Sequence, residues 1–172
     1  MIRVVSHDPN WSGSFAEEAR RIGDALSVVV VRIHHIGSTA VPGTKAKPII
    51  DVLMEVTSVA ALDEKVALME TLGYEAMGEC GIPGRRYYRR NDSAGTRTHQ
   101  IHAFAAEAAD VARHLAFRDY LRAHPSVARD YGELKERLAA EHPRDIEAYM
   151  DGKDAFVKEH EARAMLWKCQ HA

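Results

Sequence analysis

A glycine-serine turn followed by a lone aspartate in an apolar segment is the feature of this sequence that best suggests chemistry. Gly37 and Ser38 follow the β-branched run "VVVVRIHHI", and Asp51 stands inside the next apolar run, "IIDVLMEV". Glycine lets the backbone approach a phosphate closely, and the hydroxyls of Ser38 and Thr39 can bind it, with Lys47 adding charge. A carboxylate beside such a cradle suits metal-assisted phosphoryl or nucleotidyl transfer, because Mg²⁺ bridges carboxylate and phosphate oxygens.

The same residues also allow a purely structural interpretation. Residues 37–43 would then form an ordinary turn, and Asp51 would cap or pair within the fold. Residue types alone do not decide between the two, because glycine and serine are typical both of turns and of phosphate cradles.

Two histidines in "RTHQIHAF" are candidates to complete a site with Asp51. His99 and His102 are three residues apart, so in a regular strand at most one of them faces Asp51, unless a bulge intervenes. Imidazole binds metals and carries protons near neutral pH. We predict Asp51 and His102 as catalytic residues and Asp51, His99 and His102 as candidate metal ligands; the alternative is a hydrogen-bonded core histidine. His34 and His35 are predicted to be structural.

A basic aromatic segment, "RRYYRR" at residues 85–90, offers a second set of ligand contacts. Strand alternation sends Arg85 and Tyr87 to one face of a sheet and Arg86 and Tyr88 to the other. Arginine can bind phosphate and tyrosine can stack on a nucleobase, and we take Arg86 and Tyr88 as the nucleotide contacts. The same charges would equally protect an edge strand from pairing with another chain.

The elements that must position these residues fall into two parts. Hydrophobic periodicity in residues 1–106 predicts an α/β core: an N-terminal helix, strands at 28–36 and 49–56, a helix at 57–73, and two antiparallel strands around the turn "DSAG". In residues 107–172 strand patterns give way to three helices, two of which are predicted to begin at Pro125 and Pro143. We expect the helical part to pack on the sheet as a single domain.

Composition narrows the range of partners and locations. The formal net charge of the 172 residues is −2, which disfavours a general electrostatic grip on nucleic acid or on an anionic membrane. The two cysteines show no CxxC spacing, as expected in a reducing compartment. No apolar run is long enough to span a bilayer and the N-terminus does not resemble a signal peptide, so we expect a cytoplasmic protein.

Several longer motifs resemble the GrpB family over nearly the whole chain. They are "HIGSTAVPGTKAKPIIDVLMEV", "THQIHAF", "HLAFRDYLRAHP" and "YMDGKDAFV", in this order. The resemblance implies an α+β, nucleotidyltransferase-like fold, with a small mixed β-sheet, flanking helices and a C-terminal helical region. In that superfamily the Gly-Ser turn, here Gly37 and Ser38, binds the triphosphate, and an Asp-x-Asp pair binds two metals. Asp51 matches the first acid, but the second position is Leu53.

The resemblance implies two kinds of function that differ in chemistry. The first is transfer of a nucleotidyl group from a nucleoside triphosphate to a small acceptor, assisted by one Mg²⁺, Mn²⁺ or Zn²⁺ held by Asp51 and a histidine. The second is non-catalytic binding of a nucleotide or another phosphorylated ligand on the same fold. A third possibility, from the residues after 107, is a helical interaction module.

Overall fold

A five-stranded mixed β-sheet forms the centre of the protein in the computed structural model, which describes residues 1–172. The strands are β1 (Val30–Ile36), β2 (Ile50–Val56), β3 (Glu75–Ala76), β4 (Arg86–Asn91) and β5 (Arg97–Ala105). Their order across the sheet is β1-β2-β5-β4-β3, and only β2 and β5 run parallel. The sheet therefore places the ends of β1, β2 and β5 side by side.

Six α-helices and one short 3₁₀ helix surround the sheet. The α-helices are α1 (Trp11–Ala25), α2 (Val59–Asp63), α3 (Val66–Thr71), α4 (Ala109–Ala123), α5 (Pro125–Glu141) and α6 (Ile146–Gln170), and the 3₁₀ helix (Ser38–Ala40) directly follows β1. None of the helices combines the length and the apolar character that a transmembrane span requires.

One face of the sheet carries the larger core. Alternate residues of the central strands, such as Val52, Met54 and Ile101, are fully buried there against apolar side chains of α1, including Ile22. This packing follows from the strand period of two, which sends every second side chain to the same face. The apolar centre of this face is closed to a ligand by its own hydrophobic contacts.

The opposite face of the sheet is only partly covered. Leu53 and Phe104 pack there with Val111 of α4, and helices α4, α5 and α6 form a further core of their own around Tyr120 and Tyr131. Asp51 is on the same face as Leu53, two residues away. The open part of this face, between the sheet and α5–α6, is where the polar side chains gather.

The predicted secondary structure is confirmed for the strands at 28–36 and 49–56, the pair around "DSAG" and the helix that begins at Pro125. The helix predicted at 57–73 is wrong as a single element. Ser58 caps α2, its Oγ accepting a hydrogen bond from the Ala61 amide at 3.0 Å, but the helix stops after Asp63 and α3 begins at Val66. The third helix begins at Ile146, after an Asp145 cap, rather than at Pro143.

Candidate functional site

Asp51 lies against the backbone of Gly37, at the point where β1 ends. The two strands pair so that Ile36 is opposite Asp51, and Gly37 has a φ of +72°. A Cβ atom at position 37 would stand 2.6 Å from Asp51 Oδ2, a distance that no side chain tolerates. Glycine is therefore required here both for its backbone conformation and for the space that the carboxylate occupies.

His102 is the imidazole that faces Asp51. Its Nε2 lies 3.3 Å from Asp51 Oδ1, and its Nδ1 lies 3.3 Å from Arg85 Nη1. Because a guanidinium can only donate, Nδ1 accepts and the ring proton is on Nε2, where it points at Asp51. Both ring nitrogens of His102 are thus engaged, and Asp51 keeps Oδ2 free of hydrogen bonds.

A buried lysine holds the serine of the turn. Lys135, on α5, is only 3% exposed, and its Nζ donates to Ser38 Oγ at 2.5 Å. The amine also lies 4.4 Å from the centre of the Tyr131 ring. Burial, and then the neighbouring Lys153, lower the pKa of Lys135 to about 7, although Asp51 opposes the shift.

Two more lysines share this space. Lys47 precedes β2 and Lys153 is on α6, and each amine lies 5.2 Å from the centre of the Tyr149 ring. Burial lowers the pKa of both amines, to about 8 for Lys153, while Asp51 acts in the opposite direction. Repulsion from Lys47 contributes to the shifts of both Lys135 and Lys153, so the three amines form one electrostatic group.

The charges of this lysine cluster, Lys47, Lys135 and Lys153, are not balanced within the protein. None of the three amines forms a salt bridge, although Lys45, Lys158 and Lys168 do, with Glu136, Asp154 and Asp119. The sole anionic group that acts on all three is Asp51. Buried cations without counter-ions are costly, and an anion with two or more negative charges would compensate them.

Arg86 and Tyr88 do not lie at this site, which corrects the sequence prediction for both. Tyr88 is 2% exposed in the core on the other face of the sheet. Arg86 is on that face too and pairs with Asp63 of α2, at 2.8 Å. Alternation along β4 was predicted correctly, but the face that looks towards Asp51 carries Arg85 and Tyr87.

His99 and Thr39 also lie away from the Asp51 carboxylate, so His99 does not join the predicted metal ligands. His99 is on the other face, where Glu18 and Arg90 act on it electrostatically and a groove of about 760 Å³ opens. Two of the three arginines that line this groove, Arg21 and Arg90, are already paired with Glu18. The hydroxyl of Thr39 is buried and bonded to the His35 ring at 2.9 Å.

The residues around Asp51 provide few side-chain ligands for a metal ion. No group of three or more histidine, cysteine, aspartate or glutamate side chains with suitable geometry occurs in residues 1–172. Leu53 is fully buried at the position of the second acid, and Glu55, one strand period further on, is bound to His34 at 2.6 Å. Asp51 Oδ2 is therefore the one carboxylate oxygen that could reach a cation beside Ser38.

Lys135 is the residue that sequence reasoning missed, and for Lys153 the sequence could not show that it faces the site. Lys135 is the one lysine of α5 and belongs to no short motif, whereas Lys153 lies within "YMDGKDAFV" and is one of three lysines on α6. The signal that could have found Lys135 is its spacing from Tyr131 and Leu138, which puts a charged residue on the apolar side of α5. The sequence itself gives no sign that this side meets Ser38.

The chain matches the GrpB protein family over residues 1–163. It is 42% identical to the UPF0157 protein YqkA of Bacillus subtilis over 97% of its own length, and spans about half (48%) of that relative. The crystal structure of the conserved protein GrpB from Enterococcus faecalis superposes with a TM-score of 0.91 and 42% identity, over 96% of this chain and 99% of that one.

A more distant structure extends the comparison of folds. Terminal uridylyl transferase 4 from Trypanosoma brucei, solved with bound dUTP, gives a TM-score of 0.52 at 10% identity, over 79% of this chain and 46% of the transferase. At this identity the likeness concerns the fold alone. It confirms the predicted nucleotidyltransferase-like fold.

Proposed function

The chain belongs to the GrpB family, and we propose that the cleft between the sheet and α5–α6, which holds Asp51 and the lysine cluster, binds the triphosphate of a nucleoside triphosphate. The observation that carries the proposal is the lysine cluster, in which three amines share a single carboxylate. A triphosphate supplies the missing negative charge and many acceptor oxygens. The distant fold likeness to a transferase solved with a nucleotide agrees with this ligand class.

The ligand would engage the cluster from the side of the Gly-Ser turn. Ser38 Oγ and Lys135 Nζ are already in contact, so one phosphate oxygen can bind both. Phosphate charge raises the pKa of the lysines again, so binding is accompanied by proton uptake and weakens as the pH rises above the pKa of Lys135, about 7.

Calorimetric titration with a panel of nucleoside triphosphates and with inorganic tripolyphosphate tests the proposal. We expect Lys135→Met to weaken binding about tenfold or more, since a charge-assisted contact is lost. Lys158→Met is the matched control, because Lys158 is 74% exposed on α6 and pairs with Asp154. Absence of binding to every triphosphate, or equal loss in both variants, would refute the proposal.

A second candidate function is nucleotidyl transfer, which the Asp51–His102 pair favours. In this reaction an acceptor hydroxyl oxygen attacks the α-phosphorus, the bond to the bridging oxygen breaks, and pyrophosphate leaves. Asp51 Oδ2 would take the hydroxyl proton, and the His102 N–H would hold the carboxylate in place. We expect Asp51→Asn to abolish pyrophosphate release while triphosphate still binds; a protein that binds but never releases pyrophosphate is a non-catalytic binder.

A divalent cation in this cleft would be held by Asp51 Oδ2 and by phosphate oxygens of the ligand, as is common for Mg²⁺. With the cation bound, water rather than Asp51 would take the acceptor proton. It would add positive charge at the phosphate. Titrations with Mg²⁺, Mn²⁺ and Zn²⁺ measure this dependence directly.

A further inference from the structure

We propose that the cleft has a second anion site, formed by Arg85, Tyr87 and Arg97, which binds a carboxylate or phosphate group of the acceptor substrate. This inference rests on the transfer reaction put forward above, because it names the chemical class of the acceptor. We call these three residues the arginine strip.

The arginine strip lies next to Asp51 and His102 on the same face of the sheet. Tyr87 is directly opposite His102 in the β4–β5 register, with 5.5 Å between ring centres. Arg85 lies 5.1 Å from the centre of the Tyr87 ring and touches His102. Arg85 and Tyr87 therefore adjoin the pair to which the acceptor hydroxyl would bind.

Arg97 reaches this face because of an irregularity in β5. Arg90 pairs with His99, whereas Asn91 pairs with Arg97, so the register shifts around Thr98. Simple alternation from His102 would send Arg97 to the opposite face. Instead its Nε donates to Asn91 Oδ1 at 2.7 Å and its Nη1 to the Tyr87 hydroxyl at 3.4 Å. Bulges that re-aim a side chain are frequent beside active sites.

The charges of the arginine strip are not neutralised. Arg85 is 9% exposed, yet it donates only to the carbonyls of Glu79 and Cys80 and to His102. Arg97 has no carboxylate partner either, and its Nη2 makes no hydrogen bond. By contrast, Arg89 of β4 pairs with Glu75 at 2.6 Å.

The order of the strands keeps the two proposed anion sites on either side of the reacting pair. Ser38 follows β1, Asp51 is on β2, His102 is on β5 and Tyr87 is on β4, and these strands are neighbours in that order. The triphosphate would lie at the β1 end with Lys135, and the acceptor at the β4 end. The Tyr87 hydroxyl proton and Arg97 Nη2 are then available as donors, and an anionic group on the acceptor would accept from both.

Nuclear magnetic resonance titration with inorganic phosphate and, separately, malonate tests the second site. In one arm the protein is saturated with a triphosphate analogue that resists cleavage between the α and β phosphates. In a second arm, Lys135→Met without analogue weakens the lysine cluster. In each arm Arg97→Gln is compared with Arg89→Gln, which removes an equal charge from the same sheet.

We expect anion binding in both arms, weakened about tenfold by Arg97→Gln and changed less than about twofold by Arg89→Gln. Analogue affinity should change less than about threefold in Arg97→Gln. The relative strength of phosphate and malonate shows which acidic group the site prefers. Absence of anion binding in both arms, or equal losses of anion and analogue affinity in Arg97→Gln, overturns the second site. If the analogue fails to bind while Arg97-dependent anion binding persists in the second arm, the triphosphate proposal fails and the second site stands.

Discussion

Two features disfavour a side chain at position 37. The backbone has a positive φ, and the Asp51 carboxylate occupies the space that a Cβ would need. Gly43 also has a positive φ, of +79°, but its Cβ position is open. Comparing alanine at the two positions separates backbone strain from the collision with Asp51.

We expect Gly37→Ala to lower the free energy of unfolding by about 1–3 kcal/mol more than Gly43→Ala does, because the Cβ overlaps the carboxylate and because Gly37 combines a positive φ with a ψ of −176°. Gly43→Ala itself should lower it by about 1–2 kcal/mol. Urea unfolding of the two variants measures both values. Equal losses would mean that Asp51 moves aside without cost.

Lys135 makes stability depend on pH, with a sign fixed by the direction of its pKa shift. Burial lowers the pKa from 10.5 to about 7, so between pH 7 and 10.5 the unfolded chain holds a proton that the folded protein has released. Stability therefore rises with pH in this range, by up to about 1.4 kcal/mol per pH unit. Urea unfolding at pH 7 and pH 9 should show this rise in the unmodified protein.

Lys135→Met should flatten that rise, and Lys158→Met should preserve it. Lys153, whose pKa is also lowered, to about 8, leaves a smaller slope in the Lys135 variant. A slope that is unchanged in Lys135→Met would show that burial does not lower the pKa of the Lys135 amine.

Individual residues also show how far sequence reasoning reaches. The strand period allowed at most one of His99 and His102 to share a face with Asp51, but it did not choose between them. The pairing of β2 with β5 puts His102 on that face. The strand period could not show which face of "RRYYRR" meets Asp51. Alternation divides the side chains into two faces but does not tell which of them is turned towards the core. Nor could it foresee Arg97, since the register shift at Thr98 depends on pairing with β4.

At the scale of elements, α5 approaches the loop before β2 through a glycine. A Cβ at Gly132 would lie 3.0 Å from the backbone nitrogen of Lys45. Since α5 carries Lys135, this close contact sets the distance between that amine and Ser38. The strands were predictable from local pattern, but this helix-to-loop contact joins residues about 90 positions apart and leaves no local signal.

Gly132→Ala is expected to lower the free energy of unfolding by about 1 kcal/mol and to weaken triphosphate binding. The gain in helix propensity is of similar size, but backbone must shift to make room. Gly23→Ala in α1 is the control, because its nearest atom is Ile33 Cδ1 at 3.9 Å; it should stabilise by about 0.5–1 kcal/mol. Chemical denaturation and calorimetry of both variants check this, and a stabilised Gly132→Ala would contradict it.

Across the whole molecule, the helical part and the sheet meet at the Gly-Ser turn. Arg122 of α4 donates to the Ala40 carbonyl at 2.8 Å, Arg118 to the His35 carbonyl at 3.3 Å, and Lys135 to Ser38. The proposed ligand would thus touch both parts at once. The family motifs indicated the sheet and the turn. That Lys135 of α5 and Lys153 of α6 approach this turn follows only from the packing of the helices on the sheet.

A triphosphate at a hundred times its Kd should raise the free energy of unfolding by about 2.7 kcal/mol, since it binds only the folded state. Hydrogen exchange should slow in α5 and α6 as well as at the turn, because both parts hold the ligand. Slower exchange at the turn alone would mean that the helices take no part in binding.

The burial of Leu53 separates this site from the sites of enzymes that bind two metals. It is enclosed by Ile36, Phe104 and Val111, so an aspartate at this position would bury a charge among hydrocarbon side chains at a cost of several kcal/mol. A second acid could be accepted only after α4 had withdrawn or its inner side chains had been exchanged. Conversion of one kind of site into the other therefore requires changes in α4 as well as at position 53, and a substitution of Leu53 alone would not suffice.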